Sequence, residues 1–150
     1  MRVYLAIVDE TEEAKLALRF AARRAADTGG SVHILALVPK QSFNAFGGIQ
    51  ATIEEEARDR AEVMANSAAG ELMSESGLMP QIAVREGDGK TVINEYLSEH
   101  PEVAALVLGA AAEGNPGPLV SHFSTSSGQL PCPLIIVPGA LSDEEIDRLS

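Results

Sequence analysis

Five short apolar runs, each separated from the next by enough chain to cross over a sheet, constrain this sequence more than any other feature. Val3–Val8, Val32–Val38 and Val103–Leu108 are almost wholly apolar and rich in β-formers. That is the pattern of strands covered on both faces. Gln81–Val84 and Leu134–Val137 are shorter runs of the same kind. Between them the period changes to helical. Ala14, Ala17, Leu18, Ala21 and Ala25 recur on one face behind Thr11, an N-cap residue followed by Glu12 and Glu13, and Gly29-Gly30 supplies the stop. Strands alternating with full crossovers call for a parallel sheet with helices on both faces.

The remaining connections fit that scheme. Pro39–Gln50 has no periodicity and reads as a loop, with Phe43 and Phe46 available for a lid or a partner contact. Thr52 and Glu55 have capping-box spacing ahead of a long amphipathic helix carrying Ile53, Ala57, Ala61, Met64, Ala68 and Leu72, which ends near Gly77. Asp88 caps a helix that must stop before Pro101. Pro118 suits the first position of a short, weak helix ending in a Ser/Thr run. Pro131, Pro133 and Pro138 bracket the last strand and favour a sheet edge. Residues 1–150 read as one domain, with 139–150 as a C-terminal tail.

Composition narrows the function. The formal net charge is −11, which disfavours nucleic acid and anionic membrane surfaces, because both are held by Lys and Arg. No apolar stretch is long enough to span a bilayer, and no leader pattern follows Met1, so a cytoplasmic location is expected. The single cysteine, Cys132, has no Cys or His partner at zinc-ligand spacing.

In an open parallel sheet, ligands bind beyond the carboxyl ends of the strands, where the strand order reverses. Gly109–Pro118 is the most unusual segment at such an end. It holds Gly109, Gly114 and Gly117 with two prolines, just ahead of a helix start. Such a loop can aim backbone N–H groups at an anion, and it can equally serve only to turn the chain. Ser121 would add a hydroxyl from the first helical turn. Asp9, closing the first strand, can accept from a ribose hydroxyl or an adenine amine, or can help Thr11 cap the first helix.

With these features in order, the chain resembles the universal stress proteins over nearly its whole length. The resemblance rests on Val8-Asp9-Glu10-Thr11, on the second strand ending at Val38, and on Glu86-Gly87-Asp88. It rests further on Val107-Leu108-Gly109, Gly117-Pro118-Leu119-Val120-Ser121 and Pro131-Cys132-Pro133-Leu134-Ile135-Ile136-Val137-Pro138. It implies a five-stranded parallel α/β sheet of order 3-2-1-4-5, Rossmann-like and of the adenine nucleotide alpha hydrolase-like kind. It also implies a homodimer through the fifth strand, at Leu134, Ile135 and Ile136, and in one branch a bound ATP or AMP, with magnesium if a triphosphate. Asp9 and Val38 match positions on the adenosine side, while Gly109, Gly114, Gly117 and Ser121 stand on the phosphate side. The branch signature is incomplete: Ala112 replaces its second glycine, Val120-Ser121 its Gly-Ser pair, and the spacer is shorter. No Lys or Arg lies between Gly109 and Gly128, and Glu113 sits in the loop. A triphosphate would need backbone donors, a metal ion, or Lys90 or Arg85 from elsewhere.

No catalytic set assembles. Ser121 and His122 are helix neighbours that point apart, His33 lies inside a strand, and His100 stands at a helix end. Cys132 has no basic neighbour to activate it. The expectation is a non-catalytic, dimeric stress-response module with a weak or altered adenine-nucleotide site. The alternative is a nucleotide-independent scaffold acting through its dimer surface.

Overall fold

The computed structural model describes residues 2–39 and 47–150, with side chains described from 53 onward in the second stretch. In chain order the elements are β1 (Val3–Val8), α1 (Glu12–Thr28), β2 (Ser31–Val38), α2 (Gly47–Ser76), β3 (Gln81–Glu86) and α3 (Gly89–Glu99). They continue with β4 (Val103–Ala110), α4 (Pro118–Thr125), a short 3-10 turn at Ser127–Gln129, β5 (Leu134–Pro138) and α5 (Asp143–Leu149). The five strands form one all-parallel sheet in the order β3-β2-β1-β4-β5. The parallel sheet with helices on both faces is as the sequence pattern implied, and the strand order is as the family resemblance implied.

Helix starts follow local chemistry. The Thr11 hydroxyl accepts from the Ala14 N–H at 3.2 Å, and the Asp88 carboxylate accepts from the Thr91 N–H at 3.4 Å. Ser142 and Glu145 form a reciprocal capping box on α5. Gly29, in the left-handed region at φ 67°, ends α1. Several boundaries differ from the sequence reading; β3, for one, runs past Val84 to Glu86. Helix α2 is already helical from Gly47, so Thr52 and Glu55 lie inside it rather than at its start. The Gln and Ala at 50 and 51 are good helix formers, and a capping-box spacing also occurs by chance on a continuous helix face. The loop expected over Pro39–Gln50 therefore overlaps α2 at 47–50, and Phe43 and Phe46 lie outside the described residues. Strand β4 also runs two residues further than its apolar run, to Ala110, because Gly109 and Ala110 pair with Val137 and Pro138 of β5.

Alternation along the central strands sends side chains to two cores. Tyr4, Ala6 and Val8 meet α1, α2 and α5 on one face, while Val3, Leu5 and Ile7 meet α3 and α4 on the other. The first core is built around alanines. Ala17, Ala21 and Ala25 of α1 are fully buried, as is Ala65 of α2, with Ala57 and Ala61 nearly so. Small residues let helix backbones lie close to the sheet, which suits a chain with only 4% aromatic residues. The segment read as a tail carries α5, whose Ile146 is fully buried in this core. Asp147 of α5 accepts from two of the three guanidinium nitrogens of Arg19, Nε and Nη2, each at 2.8 Å. Among the described residues no helix is long and apolar enough to cross a membrane.

Candidate functional site

The strand order reverses between β1 and β4, and the carboxyl ends of those two strands frame a cleft of about 140 Å³. Asp9 follows β1, Gly109 stands in β4, and Gly117 precedes α4; all three line the cleft. Sequence reasoning thus nominated three residues that the fold brings together. The others fall around them. Gly114 forms the loop's outer bend at φ 71°. Ser121 is exposed on the first turn of α4, its hydroxyl 3.4 Å from the Asn115 side-chain oxygen. Val38 does not line this cleft; it is buried at the end of β2, across β1 from Gly109, and its carbonyl accepts from the Gly87 N–H at 3.0 Å.

Each residue's local role is visible. One Asp9 carboxylate oxygen accepts from the Thr11 N–H at 2.8 Å and from the Thr11 hydroxyl at 2.5 Å, so Asp9 braces the N-cap of α1. Gly109 is needed for packing: a Cβ there would stand 2.1 Å from the Glu13 carbonyl oxygen and 2.4 Å from its carbon. The first turn of α1 lies directly on β4 at this point. Gly117 adopts φ 118°, a region that favours glycine, with nothing near its missing Cβ.

The loop satisfies much of its own donor capacity. The Ala111 N–H donates to the Pro116 carbonyl at 3.0 Å, and the Gly117 N–H donates to the Asn115 side-chain oxygen at 2.9 Å. Pro118 has no N–H. The start of α4 therefore presents to an incoming anion at most the N–H groups of Leu119 and Val120. Asn115 is the site residue that sequence reasoning left without a role. Asn-Pro-Gly, in which an Asn side chain bonds the backbone two residues on, is the signal that could have found it.

Charge points the same way. Asp9 and Glu13 line the cleft and, among the described residues, no Lys or Arg does. Arg85, one of the two distant cations considered for a phosphate, is committed elsewhere. It pairs with Glu99 at 2.8 Å and lies 4.9 Å over the Tyr96 ring. Lys90 is not among the lining residues. A larger groove of about 380 Å³ runs between α1 and α2 and shares Asp9. Arg19 there sits between Asp147, Asp143 and Glu75, and Lys15 pairs with Glu12. Its polar groups largely satisfy one another, so the smaller cleft at the strand reversal is the better candidate.

The remaining nominated residues lie apart. Strand β5 is at the sheet edge, with Leu134 and Ile135 half-buried against the cores and Ile136 38% exposed. Cys132 is half-buried, and burial raises its thiol pKa. His33 and His100 meet at the opposite end of the sheet. There the His33 Nδ1 and the Tyr96 hydroxyl share a hydrogen bond of 2.8 Å, and His100 stacks on Tyr96 at 4.1 Å. Burial, then the neighbouring His100, lowers the pKa of His33 below the usual 6.5. A base with a depressed folded pKa binds fewer protons folded than unfolded, so its stabilisation is present above pH 6.5 and is lost as pH falls below it. Denaturant melts between about pH 7.5 and about pH 5.5 should show wild type losing more stability than His33→Gln. Parallel pH profiles would contradict this.

The model of the universal stress protein family matches residues 1–138. No curated protein matches the sequence. Among solved structures, the universal stress protein UspA from Lactobacillus plantarum is similar, at 19% identity and a TM-score of 0.77, with 91% of this chain and 97% of that chain covered. A universal stress protein family protein from Arabidopsis thaliana, solved with AMP bound, is 14% identical with a TM-score of 0.62, covering 96% of this chain and 95% of that one. A universal stress protein from Archaeoglobus fulgidus in complex with dAMP is 17% identical with a TM-score of 0.54, covering 91% and 97%. At these identities the likeness is one of fold.

Proposed function

The chain belongs to the universal stress protein family, and from that premise we propose that it is a non-catalytic regulatory module, a single cytoplasmic domain that dimerises through β5 and binds an adenine nucleotide weakly. One observation carries the reading: Asp9, Gly109 and Gly117 meet at the strand reversal in a cleft lined, among the described residues, by two carboxylates and by no Lys or Arg. Such a cleft favours a ligand of low charge. The adenosine side offers Asp9, and the phosphate side offers few donors. The AMP- and dAMP-bound relatives support a nucleoside monophosphate over a triphosphate. ATP would add negative charge beside Asp9 and Glu13 unless magnesium screened it.

Titration calorimetry with AMP, cyclic AMP and ATP, each with and without magnesium, tests this. AMP should bind with Kd on the order of 0.1–1 mM, and ATP without magnesium more weakly. No heat at millimolar AMP, or tight ATP binding without magnesium, contradicts the proposal.

The nucleotide-independent reading draws on the β5 edge. Ile136 is its exposed large apolar side chain, while Ile135 packs into a core and would unfold the sheet if charged. Sedimentation should give a dimer for wild type and a monomer for Ile136→Asp. If AMP does not bind and the dimer persists, the scaffold reading stands alone.

A further inference from the structure

Three ligand-type side chains converge at the amino-terminal end of the sheet, far along the strands from the cleft. His33 enters from β2, His100 caps the C-terminus of α3, and Glu102 lies in the turn that leads into β4. One donor atom from each lies within 4.8 Å of the other two, the one such group among the described residues. We propose that His33, His100 and Glu102 bind a divalent transition-metal ion of the zinc class.

The donor set suits that class. Two imidazole nitrogens and a carboxylate match zinc in an open site, with water completing the shell, and disfavour magnesium, which takes oxygen ligands. Zinc–ligand bonds of about 2.0–2.1 Å bring tetrahedral donors to roughly 3.3 Å apart. The His100 Nδ1 and a Glu102 carboxylate oxygen are already 3.0 Å apart. Closing the rest from within 4.8 Å takes at most about 1.5 Å, and Glu102, with a side chain 48% exposed, can move. His33 is buried and held: its Nδ1 is bonded to the Tyr96 hydroxyl. With Nδ1–H donating to that oxygen, Nε2 carries the lone pair, as an outer partner sets the tautomer of a metal-binding imidazole. Arg85, which lies over the Tyr96 ring, is paired with Glu99. An ion here would tie β2 to α3 and to the start of β4.

Zinc chloride titrated into the full chain should bind once per chain, and cobalt chloride should give the visible bands of four-coordinate cobalt. His100→Gln and Glu102→Gln should each weaken zinc at least about 10-fold, and the double variant should abolish the bands. Tyr96→Phe should weaken zinc by about 10–100-fold. His122→Gln, on α4, should change nothing. Both His100 and Glu102 lie at the surface side of the cluster, so their variants should keep the native circular dichroism that makes the comparison valid. No saturable zinc binding, or unchanged affinity in the folded double variant, overturns the proposal. The nucleotide cleft takes no part in either outcome.

Discussion

Gly109→Ala is expected to destabilise the protein by about 3 kcal/mol or more, in the absence of any ligand. The new methyl would stand 2.1 Å from the Glu13 carbonyl oxygen and within 3.0 Å of the Glu13 Cβ. Both walls are backbone: β4 is held between β1 and β5, and the start of α1 is fixed by Thr11 and Asp9. Neither can yield as a surface side chain would. For a chain of this size the loss corresponds to a fall in Tm of roughly 6–12 °C. The experiment separates two meanings of one glycine. A residue serving only to let phosphate approach would be replaced at no cost to the ligand-free fold. A residue that lets a helix lie on a strand would not. An unchanged Tm for the ligand-free variant would refute the packing role.

Phe123→Ala is expected to cost about 3–5 kcal/mol, with Phe123→Leu costing much less. Phe123 is fully buried, at the centre of the core formed with Leu5, Leu106 and the α3 residues Ile93 and Tyr96. The sequence of α4 gives it little intrinsic strength. The hydroxyls of Ser124, Thr125, Ser126 and Ser127 all bond back to helix carbonyls, a habit that weakens helices. Helix α4 therefore stays in place through Phe123 and Val120, its two buried residues. It also supplies one wall of the cleft, through Leu119 and Val120. Equilibrium denaturation measures the loss. Any AMP affinity should fall in the alanine variant by more than the fraction unfolded explains. A loss below 1.5 kcal/mol would mean that the 3-10 turn and β5, not Phe123, hold α4 in place.

Much of the architecture was legible because it follows from local rules. Apolar runs of strand length, caps at Thr11 and Asp88, and Pro118 at a helix start all hold as read. The prolines around Leu134–Val137 correctly marked an edge strand. The misread boundaries were those where local signals compete. Thr52 and Glu55 imitate a cap inside α2, and Gly109-Ala110 look like loop until β5 supplies their partners.

At the cleft the division is different. Sequence alone determined that a Gly-rich connection would follow the fourth strand, that Asp9 would close the first, and that the connection itself would hold no Lys or Arg. It could not determine what those residues touch. Packing of α1 decided that Gly109 serves a helix–strand contact, and the fold of the loop onto itself decided that Asn115 takes the Gly117 N–H. The same holds for His33 and His100, separated by more than sixty residues and unremarkable in the sequence, which the parallel crossover through α3 sets beside Glu102. Periodicity and capping are short-range and survive in the linear chain. Close approach and donor convergence depend on which distant backbone arrives, and only the tertiary structure decides that.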